Sequence, residues 1–124
     1  MTEVCLAQKN GGLLRRASYA MKGLATAWRS ERAFRDQAIA SGVVVTITAL
    51  VGPAPLWWAL IVVAICASLA LELLNAGLES VCDRLHPEMH PMIGAAKDLA
   101  SAAVFTMNVA LKVVFVLMLA THLL

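Results

Sequence analysis

The chain has 124 residues, a formal net charge of +2, 60% hydrophobic residues and only 15% charged ones. That length allows one domain, and a soluble domain of this size could not hide so much apolar surface. The small net charge gives no case for a nucleic-acid partner, and the long apolar runs point to an all-α membrane protein.

Residues 1–12, ending in Gly11 and Gly12, read as a flexible tail without the apolar core of a cleaved signal peptide. Residues 13–29 follow a helical pattern, with Leu13, Leu14, Ala17, Met21, Leu24 and Trp28 recurring at three- and four-residue spacing. Arg15, Arg16, Ser18, Lys22 and Arg29 fall elsewhere around the wheel. An apolar stripe with a Trp beside a basic face suits a helix lying in the membrane interface; an amphipathic helix packed on a partner is the alternative.

The charged stretch SERAFRDQ leads into a first span, 34–51, which the Gly52-Pro53-Ala54-Pro55 turn ends. A second span, 56–82, opens with Trp57 and Trp58 at an expected interface. Residues 83–98, with Pro87 and Pro91, read as a polar loop, and a third span covers 99–122. The expected architecture is one surface helix and three transmembrane helices. Basic residues gather before the first span and around the 83–98 loop, while the GPAP turn carries none. The positive-inside rule then puts the N-terminus and that loop in the cytoplasm. Cys5, Cys66 and Cys82 are isolated and read as free thiols.

Three polar residues interrupt the second span. Glu72, Asn75 and Glu79 are spaced to share one helix face, with the two carboxylates roughly 10 Å apart along the axis. Acidic groups near hydrocarbon are costly and mark functional sites. Glu72 falls just inside the expected membrane boundary, where a lipid hydroxyl lies, and suits a general base. Glu79 falls toward water, where a carboxylate can hold Mg²⁺ together with phosphate oxygens. A polar cluster that locks helices together explains the same residues equally well. Lys97 is suited to neutralising phosphate or to anchoring the chain, and His90 to touching a nucleotide or to solvation. No GxxxxGK phosphate loop occurs. Lys112 departs from the apolar pattern of the third span, and the sequence suggests either a polar partner for it or snorkelling.

The run from Glu72 through Asn75, Glu79, Asp83 and Arg84, followed by Ala96-Lys97-Asp98 and Ser101, resembles the signature of the prokaryotic diacylglycerol kinase family. The segments around Tyr19, Lys22 and Gly23, and Glu31-Arg-Ala-Phe34-Arg35, are similar to that family's surface helix and first-span entry. The resemblance covers about residues 13–123. It implies a homotrimer with shared active sites in the bacterial inner membrane, using ATP and Mg²⁺ to convert diacylglycerol to phosphatidic acid by direct transfer. It further implies Glu72 as general base, Glu31 and Glu79 as magnesium ligands, and Asn75 as a site-lining residue. Tyr19, Glu31, Glu79, Glu88, His90, Lys97 and Asp98 match ATP-binding positions. Trp28, Phe34, Arg35, Glu72 and Ser101 match lipid-substrate positions. The chain departs from the family pattern at Gly12, where an arginine is common, and at Gln37 and Pro91, where acidic residues are frequent. Undecaprenol kinase is the alternative within the same chemistry, and a small exchanger using Glu72 as a proton carrier is the alternative outside it. Exchangers of that kind usually have four spans, whereas this sequence predicts three.

Overall fold

A computed structural model describes residues 11–124; apart from Gly11 and Gly12, the expected flexible tail, Cys5 included, lies outside the described residues. The described chain is all-helical, with α1 over Leu13–Ser30, α2 over Arg32–Val51, α3 over Pro55–Leu85 and α4 over Pro91–Leu123. By length and composition, α2, α3 and α4 can each cross a membrane. Many large apolar side chains, Val63 and Phe105 among them, are exposed in the single chain. That pattern suits helices covered by lipid or by other chains.

Each junction is set by local chemistry. Glu31 is the one non-helical residue between α1 and α2: its N–H closes α1 on the Ala27 carbonyl at 2.9 Å, and its own carbonyl accepts the Arg35 N–H at 3.2 Å. The Arg35 guanidinium donates to the carbonyls of Trp28 and Arg29, both at 2.9 Å, and so caps the end of α1 from α2. At the next turn Gly52 takes a left-handed φ of 64°, and its N–H bonds the Thr48 carbonyl at 3.0 Å. A side chain would strain that conformation. Pro55 then starts α3, where its missing N–H costs nothing.

The segment 83–98, expected as a loop, is mostly helical: α3 continues to Leu85, α4 starts at Pro91, and only residues 86–90 connect them. Polarity there marks helix ends that run beyond the apolar stretches, not a break in either helix. His90 caps α4 by accepting the Met92 N–H on Nδ1 at 3.1 Å, and Pro91 follows in the first helical position. The expected spans are extended in the same way, since α2 begins at Arg32 and α3 and α4 outrun 56–82 and 99–122.

The most extensive packing joins α3 to α4. Ile61, Ala64 and Ile65 of α3 meet Leu111 and Met118 of α4, with Val44 and Val51 of α2 alongside. The same stripe of α3 continues through Ser68, fully buried, to Glu72, which is 9% exposed. The packed face of α3 therefore changes along its length from aliphatic to carboxylate.

Candidate active site

The site is built around α3. Glu72 lies on the buried stripe, and Asn75, one turn on, has its Oδ1 buried without a hydrogen-bond partner. An orphaned buried carbonyl oxygen is costly, and a site awaiting a donor is one reason to keep it. The acids whose charges act on Glu72 are Glu79 and Glu31. Helical spacing accounts for Glu79. Glu31 arrives because the α1–α2 joint folds back against the C-terminal half of α3, where Glu31 and Ala27 line a cavity of about 590 Å³ with Leu73, Ala76, Gly77 and Ser80. The small α3 residues on that wall leave the space, and most of the lining is apolar. Lipid chains fit such a groove better than nucleotide does.

A second cavity, of about 420 Å³, lies at the α3–α4 turn and is lined by Asp83, His86, Glu88, His90 and Lys97, among others. Lys97 donates to Asp83 at 2.9 Å across the two helices. The His86 and His90 rings meet edge to face at 5.4 Å. This cavity shares no lining residue with the first. Within one chain, then, Glu31 lines one cavity and Glu88, His90 and Lys97 line the other, while the charge of Glu79 acts on both Glu72 and Lys97.

The other expected positions are dispersed. Phe34 is buried at the start of α2, whereas Trp28, Asp98 and Ser101 are exposed. Arg35 is occupied with the carbonyls of α1. Tyr19 is half-buried beneath the Lys22 ammonium, 5.6 Å from the ring centre. Asp83 was not singled out from the sequence as a site residue, although it belongs to the signature; its acidity one turn beyond Glu79 was the available signal.

Two carboxylates on neighbouring elements fit an ion that arrives with phosphates, because Mg²⁺ is commonly held by one or two carboxylates plus phosphate oxygens and waters. Among the described residues no group of three or more His, Cys, Asp or Glu could hold a metal unaided.

Comparison with known proteins gives a consistent picture. A family model described as prokaryotic diacylglycerol kinase matches residues 18–119. A diacylglycerol kinase of Escherichia coli is 31% identical over 110 residues, covering 89% of this chain and 90% of that protein. Diacylglycerol kinases of Haemophilus influenzae and Pseudomonas aeruginosa are 34% and 35% identical, over 75% and 84% of this chain and 79% and 82% of theirs. The match takes in α2 and α3 entirely and most of α1 and α4, along with the acidic group that the folding of α1 onto α3 assembles. The chain belongs to the prokaryotic diacylglycerol kinase family.

Proposed function

We propose that this protein phosphorylates diacylglycerol with ATP inside the membrane, giving phosphatidic acid and ADP. The observation that carries the reading is the buried Glu72, set in an apolar helix within the electrostatic reach of Glu79 and Glu31. Glu72 accepts the proton of the lipid hydroxyl as its oxygen attacks the γ-phosphorus in line. The bond between that phosphorus and the β,γ-bridging oxygen breaks, and ADP leaves with the electron pair. Glu31 and Glu79 would hold Mg²⁺, which supplies charge neutralisation on the phosphates when bound with ATP. Lys97 pairs with phosphate, and Tyr19, Glu88, His90 and Asp98 complete the nucleotide contacts. Trp28, Phe34, Arg35 and Ser101 contact the lipid, and Asn75 lines the site.

Because Glu31 lines one cavity of the chain and Glu88, His90 and Lys97 line another, we assign the complete site to a homotrimer in which neighbouring chains contribute to each centre. The small residues Ala70, Ala76, Gly77 and Ser80 on α3 allow close helix approach. The apolar stripe and basic face of α1 suit a position in the interface of the bacterial inner membrane, with the N-terminus in the cytoplasm. The test is transfer of labelled phosphate from MgATP by the purified protein, offered diacylglycerol and undecaprenol in parallel. Labelled phosphatidic acid is the expected product. Labelling of undecaprenol alone would move the assignment to the isoprenoid substrate, and no labelling of either lipid would refute lipid kinase activity.

A further inference from the structure

The short turn between α3 and α4 begins and ends with a histidine, and the hydrogen bonds fix where each ring carries its proton. The His90 Nδ1 accepts the Met92 N–H at 3.1 Å. A backbone amide can only donate, so this nitrogen is bare, and the ring is neutral with its proton on Nε2. The His86 Nδ1 lies 2.9 Å from the Glu88 carbonyl oxygen. A carbonyl can only accept, so this nitrogen carries a proton, and its bond survives whether the ring is neutral or charged. Acid therefore leaves one bond of the turn intact and destroys the other. The bond at risk is the side-chain cap of α4, and α1, α2 and α3 have no such cap. The first turn of α4 otherwise closes through the Gly94 N–H on the His90 carbonyl at 2.9 Å. The groups around the two rings are Asp83 at the end of α3, Glu88 in the turn and Lys97 on α4, with Lys97 bound to Asp83. No charged residue of α1 or α2 lines this cavity.

We propose that His90 is a proton-sensitive cap on the α3–α4 cavity: neutral, it holds the first turn of α4 in place, and protonated, it releases that turn and weakens nucleotide binding. Protonation puts a hydrogen on Nδ1, which then meets the Met92 N–H donor to donor. The ring must turn away, and the Met92 amide loses its acceptor. The new positive charge also stands at the N-terminus of α4, where the helix dipole opposes it. Pro91, Ile93, Gly94 and Lys97 of α4 are walls of the cavity, so loosening the first turn disturbs that whole side. His86 acts as a positioning residue: anchored on the Glu88 carbonyl, its ring packs edge to face with that of His90. Losing a side-chain cap typically weakens a helix start by about fivefold in its equilibrium constant. The sign is therefore fixed: MgATP is held best at neutral and alkaline pH and less well in acid.

The effect on MgATP rests on the lipid kinase reading, whereas the cap does not, and the experiment measures them separately. The full-length protein in micelles, with ¹⁵N in its histidine rings, is titrated from about pH 8 to about pH 5, the range in which imidazoles change charge. At the alkaline end the His90 Nδ1 should give the signal of a nitrogen without a proton. Toward the acid end, amide protection at Met92 and Gly94, corrected for intrinsic exchange, should fall about fivefold. His90→Asn keeps a capping oxygen that acid does not protonate, and should hold that protection throughout. In initial-rate assays the wild-type KM for MgATP should rise about fivefold in acid. In His90→Asn it should stay level with pH, whatever its absolute value. Titration of Glu72 and of ATP itself acts on both proteins alike, so the comparison isolates the turn. A proton on the His90 Nδ1 at the alkaline end overturns the switch in the wild type with no variant needed, as does unchanged protection of Met92 in acid. An equal acid rise in KM in both proteins overturns the effect on nucleotide. Phosphorylation of no lipid removes the kinase reading, and the ring and amide measurements still decide the cap.

Discussion

Replacing Glu72 by Gln separates catalysis from stability. Gln has the same number of heavy atoms, so no cavity opens around a side chain that is only 9% exposed. The substitution also removes one of three like charges, since Glu79 and Glu31 both act on Glu72. The folded protein should therefore be as resistant to unfolding as the wild type, or slightly more so. Activity should move the other way. The amide cannot accept the hydroxyl proton, and general-base catalysis contributes at least about a hundredfold, or about 2.7 kcal/mol in the barrier. Glu72→Asp keeps the carboxylate but draws it back by one methylene, and should fall between the two. The assay is initial-rate phosphorylation of a diacylglycerol in mixed micelles, with thermal unfolding followed by circular dichroism on the same samples. Near-normal turnover by a folded Glu72→Gln protein would refute the role, and a large loss of stability would show that the carboxylate is structural.

Glu31→Ala and Glu79→Ala should each sharply weaken MgATP use, with partial recovery at high magnesium; an unchanged metal dependence in Glu31→Ala would remove it from the ligand set. Mixing Glu72→Gln chains with chains disabled in the α1 helix should restore activity if sites are shared, because some trimers then collect both defects in one centre and leave another intact. Cross-linked mixed trimers that stay inactive would argue for a complete site within each chain. Arg35→Ala removes two hydrogen bonds to the end of α1 and should destabilise that joint by about 1 kcal/mol, seen as faster proteolysis near Glu31. Gly52→Ala, at a φ of 64°, should cost about 1 kcal/mol in denaturant titrations while leaving lipid KM unchanged.

The order of the helices and the acidic face of α3 were legible in the sequence because both depend on spacing along one chain segment. Apolar runs, the GPAP break and the recurrence of Glu72, Asn75 and Glu79 are local signals carried by the 3.6-residue period. The 83–98 segment misled because polarity reports contact with water, and helices continue into water wherever caps such as His90 and Pro91 support them. What tertiary structure decided is which faces meet. No periodicity brings Glu31 to Glu72 or Lys97 to Asp83, or sets Gln37 and Ser41 opposite Asn108 and Lys112. Those pairings follow from the register of whole helices, which the turns and the packing of Ile61, Ile65, Leu111 and Met118 determine together. A local pattern cannot encode that register, because it belongs to two surfaces at once.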